Sequence, residues 1–325
     1  MSSLSIRHAL CKMANRLLGE SRRQRTLVVL GLLVACSSFN AKAFAAGPVN
    51  VTDDEGREIS LPSPAQRIVS LAPHITEVLF AAGAGDRIVG AVAYSDYPEA
   101  AREIPRVGGY MSIDLEAVAA LRPDLVIAWS SGHREAYLDK FAALGIPVFM
   151  NESRRLEDVA HSLERFGKLA GTERDANAAA SEFRERHGQL VERFSSQPPI
   201  TMFYQIWNEP LMTINGEHMI SDVIALCGGR NVFATLPQLA PHVSSEAVLR
   251  AAPEVIVASG MGEARPEWLD RWRDWRGLPA TKAGNLYFVP PDLIQRPTPR
   301  ILDGAEIICE ALQDARSKRY GADGD

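Results

Sequence analysis

Ser131 and His133 have the residue types and spacing from which covalent chemistry could start. A serine beside a histidine resembles the nucleophile and general base that hydrolases use for acyl transfer. The segment Ser130-Ser131-Gly132-His133 contains no carboxylate to orient the imidazole, and neighbours in sequence do not form a catalytic triad. No G-x-S-x-G elbow, P-loop or dinucleotide-binding glycine fingerprint occurs in a suitable context. The sequence therefore predicts no enzyme, and a hydrolase with Ser131 as nucleophile is a minor alternative.

The histidines are dispersed along the chain and do not form a metal-binding pattern. Zinc sites usually contain closely spaced ligands, such as an H-x-x-x-H pair or a histidine-rich loop. The histidines that follow residue 46 are His74, His133, His161, His187, His218 and His242. The sequence therefore predicts no metal site and no resident cofactor.

Residues 1–46 have the composition of a secretory signal peptide. Arginines precede the apolar run TLVVLGLLVA, and the small residues of AKAFAAG follow it. This apolar run is too short to span a bilayer as a mature helix. We expect cleavage after Ala43 or Ala46 and release into the periplasm. The alternative is a lipid anchor at Cys36, because LVAC resembles a lipoprotein processing site.

Removal of this leader makes the chain markedly acidic. The leader holds seven of the 35 Lys and Arg residues and one of the 40 Asp and Glu residues, so the remainder has a formal net charge of −11. Such a chain is a poor candidate for binding nucleic acid or an anionic membrane surface.

Cys227 and Cys309 are the cysteines that remain after removal of the leader. In an oxidising compartment, an even pair of cysteines predicts a disulfide. The bond would close a loop of about 80 residues and contribute about 4 kcal/mol in the chain-entropy model.

Strands alternate with short helices along the mature chain. Residues 49–62 alternate apolar side chains around Asp-Glu-Gly, which predicts a hairpin. The apolar segments RIVSL, IVGAVAY, DLVIAW and IPVFM predict strands, and a helix is expected from Thr76 to Ala82. This alternation predicts an α/β fold with parallel sheets covered by helices.

The α/β pattern occurs twice. Residues 116–128 are EAVAALRPDLVIA and residues 246–258 are EAVLRAAPEVIVA, 130 positions apart. A second pair of segments, EVLFAAGAGDRIV and DVIALCGGRNVF, recurs in the same order. We therefore predict two Rossmann-like lobes with parallel sheets, at 47–152 (with the N-terminal hairpin) and at 197–325.

A charged, proline-free segment at 153–196 joins the predicted lobes. Its apolar residues recur at helical spacing: Val159, Leu163, Phe166, Leu169, Phe183, Leu190 and Phe194. We predict one long, rigid α-helix of about 20 residues from Asp175 onward, roughly 30 Å in length. A cleft between the two lobes is then the expected ligand site.

Large side chains occur where predicted strands end, which is where open α/β sheets bind their ligands. Trp129 ends the strand DLVIAW, and its ring could either cap the core or form a wall of the ligand site. The candidate ligand-binding residues are His74, Tyr94, Tyr110 and Trp129 in the first lobe, and Trp207 and Arg296 in the second. Several rings with few charges suit a large, flat, partly apolar ligand.

Five segments resemble the periplasmic cobalamin-binding proteins that supply vitamin B12 to ABC importers: SLAPHITEVLFAAGAGDRIVG, AYSDYP, LRPDLVIAW, LCGGRNVF and RPTPRILDGAEIICEAL. The similarity covers about residues 65–315 and preserves the order of the segments. It implies the helical-backbone fold that these proteins share with haem and siderophore binders. It also implies that a monomeric protein captures cobalamin or a related corrinoid, as transported ligand, and delivers it to a permease dimer in the inner membrane.

The resemblance also implies roles for individual residues. Tyr94, Tyr110 and Trp129 match positions that line the corrin site, and Arg296 matches a cleft arginine. Glu116 and Glu246 match an acidic pair that docks on arginines of the permease. Two equivalent acids, one on each lobe, can straddle a two-fold symmetric partner, although the helix dipole alone also favours glutamate in a first turn.

Haem is the nearest alternative ligand on the same fold. Tyr94 or His74 would supply the axial ligand, and Arg296 would meet the propionates. A ferric siderophore is less favoured, because the candidate cleft offers few basic residues to an anionic ligand.

Overall fold

The computed structural model describes residues 47–109, 112–132, 135–260 and 264–321. Its strands are β1 (Val49–Thr52), β2 (Glu58–Leu61), β3 (Ile68–Ser70), β4 (Ile88–Ala91), β5 (Gly108–Gly109), β6 (Ser112–Ile113), β7 (Leu125–Trp129), β8 (Val148–Asn151), β9 (Ile200–Gln205), β10 (Gly229–Asn231), β11 (Val255–Ala258) and β12 (Leu286–Phe288). Its α-helices are α1 (Pro73–Ala81), α2 (Leu115–Ala120), α3 (Glu135–Ala143), α4 (Leu156–Ala170), α5 (Glu173–Phe194), α6 (Met219–Leu226), α7 (Ser245–Ala251), α8 (Pro279–Lys282), α9 (Pro291–Ile294) and α10 (Ile301–Gly321). Short 3₁₀ helices cover Gly85–Arg87, Glu99–Glu103, Ser130–Gly132 and Glu267–Asp274. The predicted signal peptide, 1–46, and Cys36 lie outside the described residues.

Two parallel sheets of identical strand order form the centres of the two lobes. The first sheet has the order β4-β3-β7-β8 and the second β10-β9-β11-β12, and every neighbouring pair is parallel. If the four strands of each sheet are numbered in chain order, both sheets have the spatial order 2-1-3-4. The repeated segments of the sequence therefore correspond to a repeated topology, and the predicted α/β fold with two parallel sheets is confirmed.

An antiparallel hairpin of β1 and β2 precedes the first sheet, as predicted. Alternate residues point inward, because successive side chains of a strand face opposite sides. Val49, Val51 and Leu61 are thus buried beside the first lobe.

Helix α1 begins at Pro73, so the prediction that this helix starts at Thr76 was wrong. Proline is favoured in the first turn of a helix, because its fixed φ suits the helix and the first N–H groups have no intrahelical partner. The chain leaves the helix at Gly83, whose φ of 75° is readily adopted by glycine.

Two helices, α4 and α5, connect the sheets. Gly171 ends α4 in the left-handed conformation, with φ of 71°, and α5 follows as the long helix of 22 residues. The apolar residues that predicted these helices are all buried: Val159, Leu163, Phe166, Leu169, Phe183, Leu190 and Phe194. Within the described ranges, no helix combines the length and the apolar character needed to cross a bilayer.

One hydrophobic core extends from the first sheet through α4 and α5 to the second sheet. It includes Ile68 and Ile127 from the first lobe, Phe166 from α4, and Met202 and Val257 from the second lobe. Interiors of this kind are close-packed and resist deformation. The connecting helices therefore belong to a core that both lobes share.

The predicted disulfide between Cys227 and Cys309 is confirmed. It joins the residue that follows α6 to the middle of α10, with Cα atoms 4.7 Å apart and a sequence separation of 82. Both cysteines are fully buried.

A buried ion pair joins the two lobes directly. Glu77 on α1 is 3% exposed and accepts two hydrogen bonds of 2.7 Å from the guanidinium of Arg300, which precedes α10. The same guanidinium lies over the ring of Tyr97, 3.6 Å from its centroid. Bidentate geometry and a cation–π contact both favour a fixed position for Arg300.

Candidate ligand-binding cleft

A cavity of about 530 Å³ opens between the lobes. Small-molecule sites usually enclose roughly 300 to 1,000 Å³. The residues that directly follow β3 and β4, the last residue of β7, and the residues after β8 form one side. The other side consists of the segment before α6, Leu239 and the segment that includes α9. The cleft thus lies at the carboxyl ends of the first sheet, where ligands of open α/β sheets are expected.

Trp129 forms part of the cavity wall and is also packed against the shared core. As the last residue of β7 it is held in parallel register with Asn151. The ring of His74, which is buried, lies edge-on to the indole with centroids 5.7 Å apart and planes at 90°. Such a T-shaped arrangement is favourable for aromatic pairs, so His74 supports the orientation of Trp129. The half-buried ring of Trp129 therefore does both: it caps the core and lines the cleft.

Tyr94 lines the same cavity and is 79% exposed. Its backbone is left-handed, with φ of 64°, a conformation that costs residues with a Cβ atom about 1–2 kcal/mol. The residue follows β4, and its ring lies in the open part of the cleft. Backbone conformations of this type occur preferentially at functional sites.

Arg296 lies on the opposite side of the cavity, on the segment that follows α9. Its guanidinium donates one hydrogen bond of 2.9 Å across the cleft to Asp96 and is paired with Asp292 at 2.9 Å. Only 15% of the arginine side chain is exposed. Both terminal nitrogens of Arg296 are thus paired with carboxylates of the protein.

On the loops before α4 and α6, four ionisable residues that were not predicted as site residues also line the cavity: Glu152, Arg154, Glu217 and His218. Arg154 is 3.7 Å from a carboxylate oxygen of Glu152 and 3.8 Å from one of Glu217. These residues lie on loops that precede α4 and α6, and no local motif marked them as part of a site.

His218 is the N-cap residue of α6, and its Nδ1 accepts a hydrogen bond of 3.1 Å from the backbone N–H of Ile220. Burial, together with the nearby positive charge of Arg154, lowers the pKa of His218 to about 4. The ring is therefore neutral near pH 7, and because Nδ1 is the acceptor, Nε2 carries the proton. A neutral hydrogen-bond donor thus belongs to the cavity wall.

The turn of the N-terminal hairpin supports the rim of the cleft. The carboxylate of Asp54 accepts hydrogen bonds from the backbone N–H of Glu152 at 2.7 Å and from the side-chain amide of Asn151 at 3.1 Å. The hydroxyl of Ser130 donates to Glu55 in the same turn. The hairpin thereby fixes the segments that carry Trp129 and Glu152.

Two of the predicted ligand-binding residues do not join this group. Trp207 does not line the cavity; its Nε1 donates a hydrogen bond of 2.9 Å to the carbonyl oxygen of Glu209. Strand β9 ends at Gln205, and the chain folds back so that Trp207 pairs with Met212. Tyr110 lies outside the described residues.

Glu116 and Glu246 occupy equivalent exposed positions in the first turns of α2 and α7. Asp114 caps α2 by accepting from the backbone N–H of Ala117 at 2.9 Å, and Ser244 caps α7. A hydrogen bond from the Ser244 hydroxyl lowers the pKa of the Glu246 carboxyl. Each lobe therefore presents one acidic side chain at a capped helix start.

Glu55 and Glu152 bind the segment that contains Ser130 and Ser131. The Ser130 hydroxyl is bonded to a carboxylate, and the backbone N–H of Ser131 donates to Glu152 at 2.9 Å; His133 lies outside the described ranges. No group of three or more His, Cys, Asp or Glu side chains that could hold a metal ion occurs among the described residues.

Two parallel α/β lobes on a shared helical core, with a ligand-sized cavity between them, define a substrate-binding protein. The chain belongs to the periplasmic binding protein family, whose profile matches residues 68–293. It is 36% identical over 257 residues to the vitamin B12-binding protein of Vibrio campbellii, covering 79% of this chain and 92% of that one. Members of this family are periplasmic binding proteins.

Solved structures show the same fold. The periplasmic vitamin B12-binding protein BtuF of Vibrio cholerae has a TM-score of 0.72 and 37% identity, covering 78% of this chain and 98% of that one. A periplasmic haem-binding protein from Pseudomonas aeruginosa has a TM-score of 0.66 and 24% identity, covering 76% of this chain and 92% of that one. The second likeness is one of fold alone.

Proposed function

We propose that this protein captures cobalamin or a closely related corrinoid in the cleft and delivers it to an ABC importer. One observation carries the proposal: a cavity of about 530 Å³ whose wall includes Trp129, Tyr94 and His74, with the imidazole edge-on to the indole. The names of the relatives at 36 and 37% identity support the same ligand class. In this proposal cobalamin is cargo, and the protein itself has no cofactor and no catalytic activity.

Binding would rest on the apolar faces of the rings and on a few polar groups. Large aromatic side chains bury roughly 150–250 Å² each and dominate the energetics of ligand contacts. Trp129 is pre-organised by His74 and by the hairpin turn, so little ordering entropy is lost on binding. Arg296 and the Nε2–H of His218 would donate to the amide groups at the edge of the corrin. Tyr110, by resemblance, would add a further ring.

Delivery would use Glu116 and Glu246 as contacts to a permease dimer. The repeated topology supports this proposal, because two equivalent acids on two equivalent lobes match a partner with two-fold symmetry. Replacement of both residues with lysine should abolish corrinoid uptake in a strain that depends on this protein while leaving corrinoid binding intact. The single replacements give intermediate uptake if each acid meets one half of the dimer.

Export would place the protein in the periplasm as a monomer. The composition of residues 1–46 and the buried disulfide support export to an oxidising compartment. Mass spectrometry of the exported protein should give a chain that begins at Phe44 or Gly47. A lipid-modified N-terminus at Cys36 would establish the anchored alternative instead.

Haem is the second candidate, and one observation favours it. The exposed phenol of Tyr94 in the cleft could serve as an axial ligand to iron. In that case Tyr94→Phe would abolish the Soret shift of added haemin, whereas a cobalamin site would lose only part of its contact area.

Calorimetric titration of the exported protein with cyanocobalamin and with haemin, side by side, tests the proposed function. Saturable one-to-one binding of cyanocobalamin, with weaker or no binding of haemin, is the expected result. Tight haemin binding without cyanocobalamin binding would retain the fold and the docking proposal but refute the ligand.

A further inference from the structure

The fixed charges in the cleft wall are predominantly negative. Three carboxylates, Glu152, Glu217 and Asp292, line the cavity together with two guanidinium groups, Arg154 and Arg296. Asp96, bonded to Arg296 from the other lobe, adds a fourth carboxylate at the edge of the site. His218 adds no charge near pH 7, because its pKa is about 4.

Both arginines already have carboxylate partners within the protein. Arg296 is the more strongly held, with nitrogen–oxygen distances of 2.9 Å to both Asp96 and Asp292 and a side chain only 15% exposed. Arg154 is more exposed, at 47%, and its distances to Glu152 and Glu217 are 3.7 and 3.8 Å. An anionic group entering the cleft would therefore meet arginines whose positive charge is already offset by neighbouring carboxylates, that of Arg296 more completely than that of Arg154.

The polar groups that face the ligand are therefore suited to a neutral one. A neutral amide can accept from an N–H of a paired arginine or from Nε2 of His218 without disturbing either ion pair. A carboxylate at the same place could accept from the same N–H groups, but it would lose its hydration and be repelled by the carboxylates that outnumber the guanidinium groups.

Resting on the proposed function, we propose that the cleft selects corrinoids whose peripheral side chains are all neutral amides and disfavours corrinoids that carry side-chain carboxylates. Asp96, Asp292 and Glu217 are the specificity-determining residues, because Asp96 and Asp292 pair closely with Arg296 and Glu217 adds a negative charge 3.8 Å from Arg154. The protein would accordingly accept the product of complete amidation of the corrin and discriminate against its acidic, incompletely amidated precursors or hydrolysis products.

Corrinoids that differ by a single charge allow a direct test. Mild acid hydrolysis of cyanocobalamin gives monocarboxylic acids in which one propionamide group has become a carboxylate, with almost unchanged shape. Each isomer is titrated against the wild-type protein at pH 7 and compared with cyanocobalamin. We expect at least one isomer to bind about ten-fold more weakly, since one repulsive charge pair across a partly screened cleft amounts to that order.

The variant Asp292→Asn/Glu217→Gln tests the assignment of the residues. The wild-type lining has three carboxylates and two guanidinium groups, whereas the lining of the variant has one carboxylate and two guanidinium groups. The monocarboxylic acid should therefore bind to the variant as tightly as cyanocobalamin or more tightly. The readout is the ratio of the two dissociation constants on the same variant, and a general loss of affinity therefore cancels. Added salt should bring the wild-type ratio closer to one, because it screens the charges.

Asp303→Asn is the matched control. Asp303 pairs with Arg186 at 2.6 Å and is 43% exposed, close to the 40% of Asp292, but it does not line the cavity. The ratio of the dissociation constants of the acid and of cyanocobalamin should be the same for this variant as for the wild type.

The possible failures are distinguishable. If the wild type binds cyanocobalamin and every acid with equal affinity, the charge selection is refuted and the proposed function stands. A wild-type preference that persists unchanged in the double variant refutes these residues as its cause. If the wild type does not bind cyanocobalamin, the proposed function fails, and this inference fails with it.

Discussion

Removal of Arg300 should destabilise the protein far more than removal of an ordinary surface arginine. In Arg300→Met, Glu77, which is only 3% exposed in the wild type, loses both of its 2.7 Å hydrogen bonds to the guanidinium. Breaking a buried ion pair by removal of one partner costs roughly 3–5 kcal/mol, since an uncompensated charge remains in the interior. Arg300 itself is 21% exposed, so we expect a loss near the lower limit, about 3 kcal/mol.

Urea denaturation followed by tryptophan fluorescence measures this loss as a change in the free energy of unfolding. In thermal scans the same loss corresponds to roughly 6–12 °C, at 2–4 °C for each kcal/mol in a chain of this size. The double variant Glu77→Met/Arg300→Met should return to within about 1 kcal/mol of the wild type, because apolar side chains of similar volume then replace both charges. The coupling energy between the two sites is therefore expected to be at least about 2 kcal/mol.

Arg186→Met is the matched control for this prediction. Arg186 pairs with Asp303 at 2.6 Å, but the two side chains are 42 and 43% exposed, and an exposed pair contributes about 0–1 kcal/mol. If Arg300→Met cost no more than Arg186→Met, the buried pair would not join the lobes in the way described.

Three further predictions concern stability. Replacement of Cys227 and Cys309 with serine should lower the free energy of unfolding by about 4 kcal/mol, because the disulfide spans 82 positions; urea denaturation of the variant should match that of the reduced wild type, and unchanged stability would contradict the entropic account. The pKa of His218 is lowered to about 4 in the folded protein, so the unfolded chain binds more protons than the folded protein between pH 6.5 and 4. The free energy of unfolding is therefore unaffected by this residue above pH 6.5. It falls by about 3 kcal/mol as the pH falls through this window. His218→Asn, which keeps the capping acceptor, should flatten that part of the curve of stability against pH, and an unchanged slope would assign it to other groups. Gly171→Ala should destabilise the protein by about 1–3 kcal/mol, since φ is 71° and the new Cβ would lie 2.8 Å from Cβ of Pro64. Gly188→Ala is the control: it lies on the exposed face of α5 with nothing within 4 Å, and it should instead stabilise by about 0.5–1 kcal/mol. Equal effects of the two substitutions on the free energy of unfolding would contradict the role of the left-handed turn.

The fold was predictable from the sequence because its signals are local and repeated. Apolar runs such as DLVIAW mark buried parallel strands, and the echo between 116–128 and 246–258 corresponds to a repeated sheet order. The apolar residues that helical periodicity identified in α4 and α5 are all buried. The predicted start of α1 at Thr76 is three residues too late, because Pro73 is itself favoured in the first turn of a helix.

The site was only partly predictable because it depends on how the lobes meet. His74, Tyr94 and Trp129 lie at or shortly after strand ends of one sheet, so the rule that ligands bind at strand ends identified them as candidates. Trp207 follows a strand end too, but the reversal of the chain after Gln205 carries its ring away from the cavity.

The polar residues of the cleft carry no equivalent signal in the sequence. Glu152, Arg154, Glu217 and His218 lie on loops whose proximity is set by the packing of α4 against α6 in the shared core. Their charges come together across distances in sequence that no local pattern encodes. A search for polar loop residues just before helices would have included them, together with many residues outside the site.

The most direct measurement of the central claim is the affinity for cyanocobalamin of Trp129→Ala compared with that of Trp275→Ala. Trp129 lines the cavity, whereas Trp275 is 43% exposed and lies outside it, so both variants lose one indole but only one loses a wall of the cleft. We predict that Trp129→Ala weakens binding by at least about 2 kcal/mol, roughly 30-fold, while Trp275→Ala binds like the wild type. Equal affinities for all three proteins, each with an unchanged circular dichroism spectrum, would contradict the claim that this cleft is the corrinoid site.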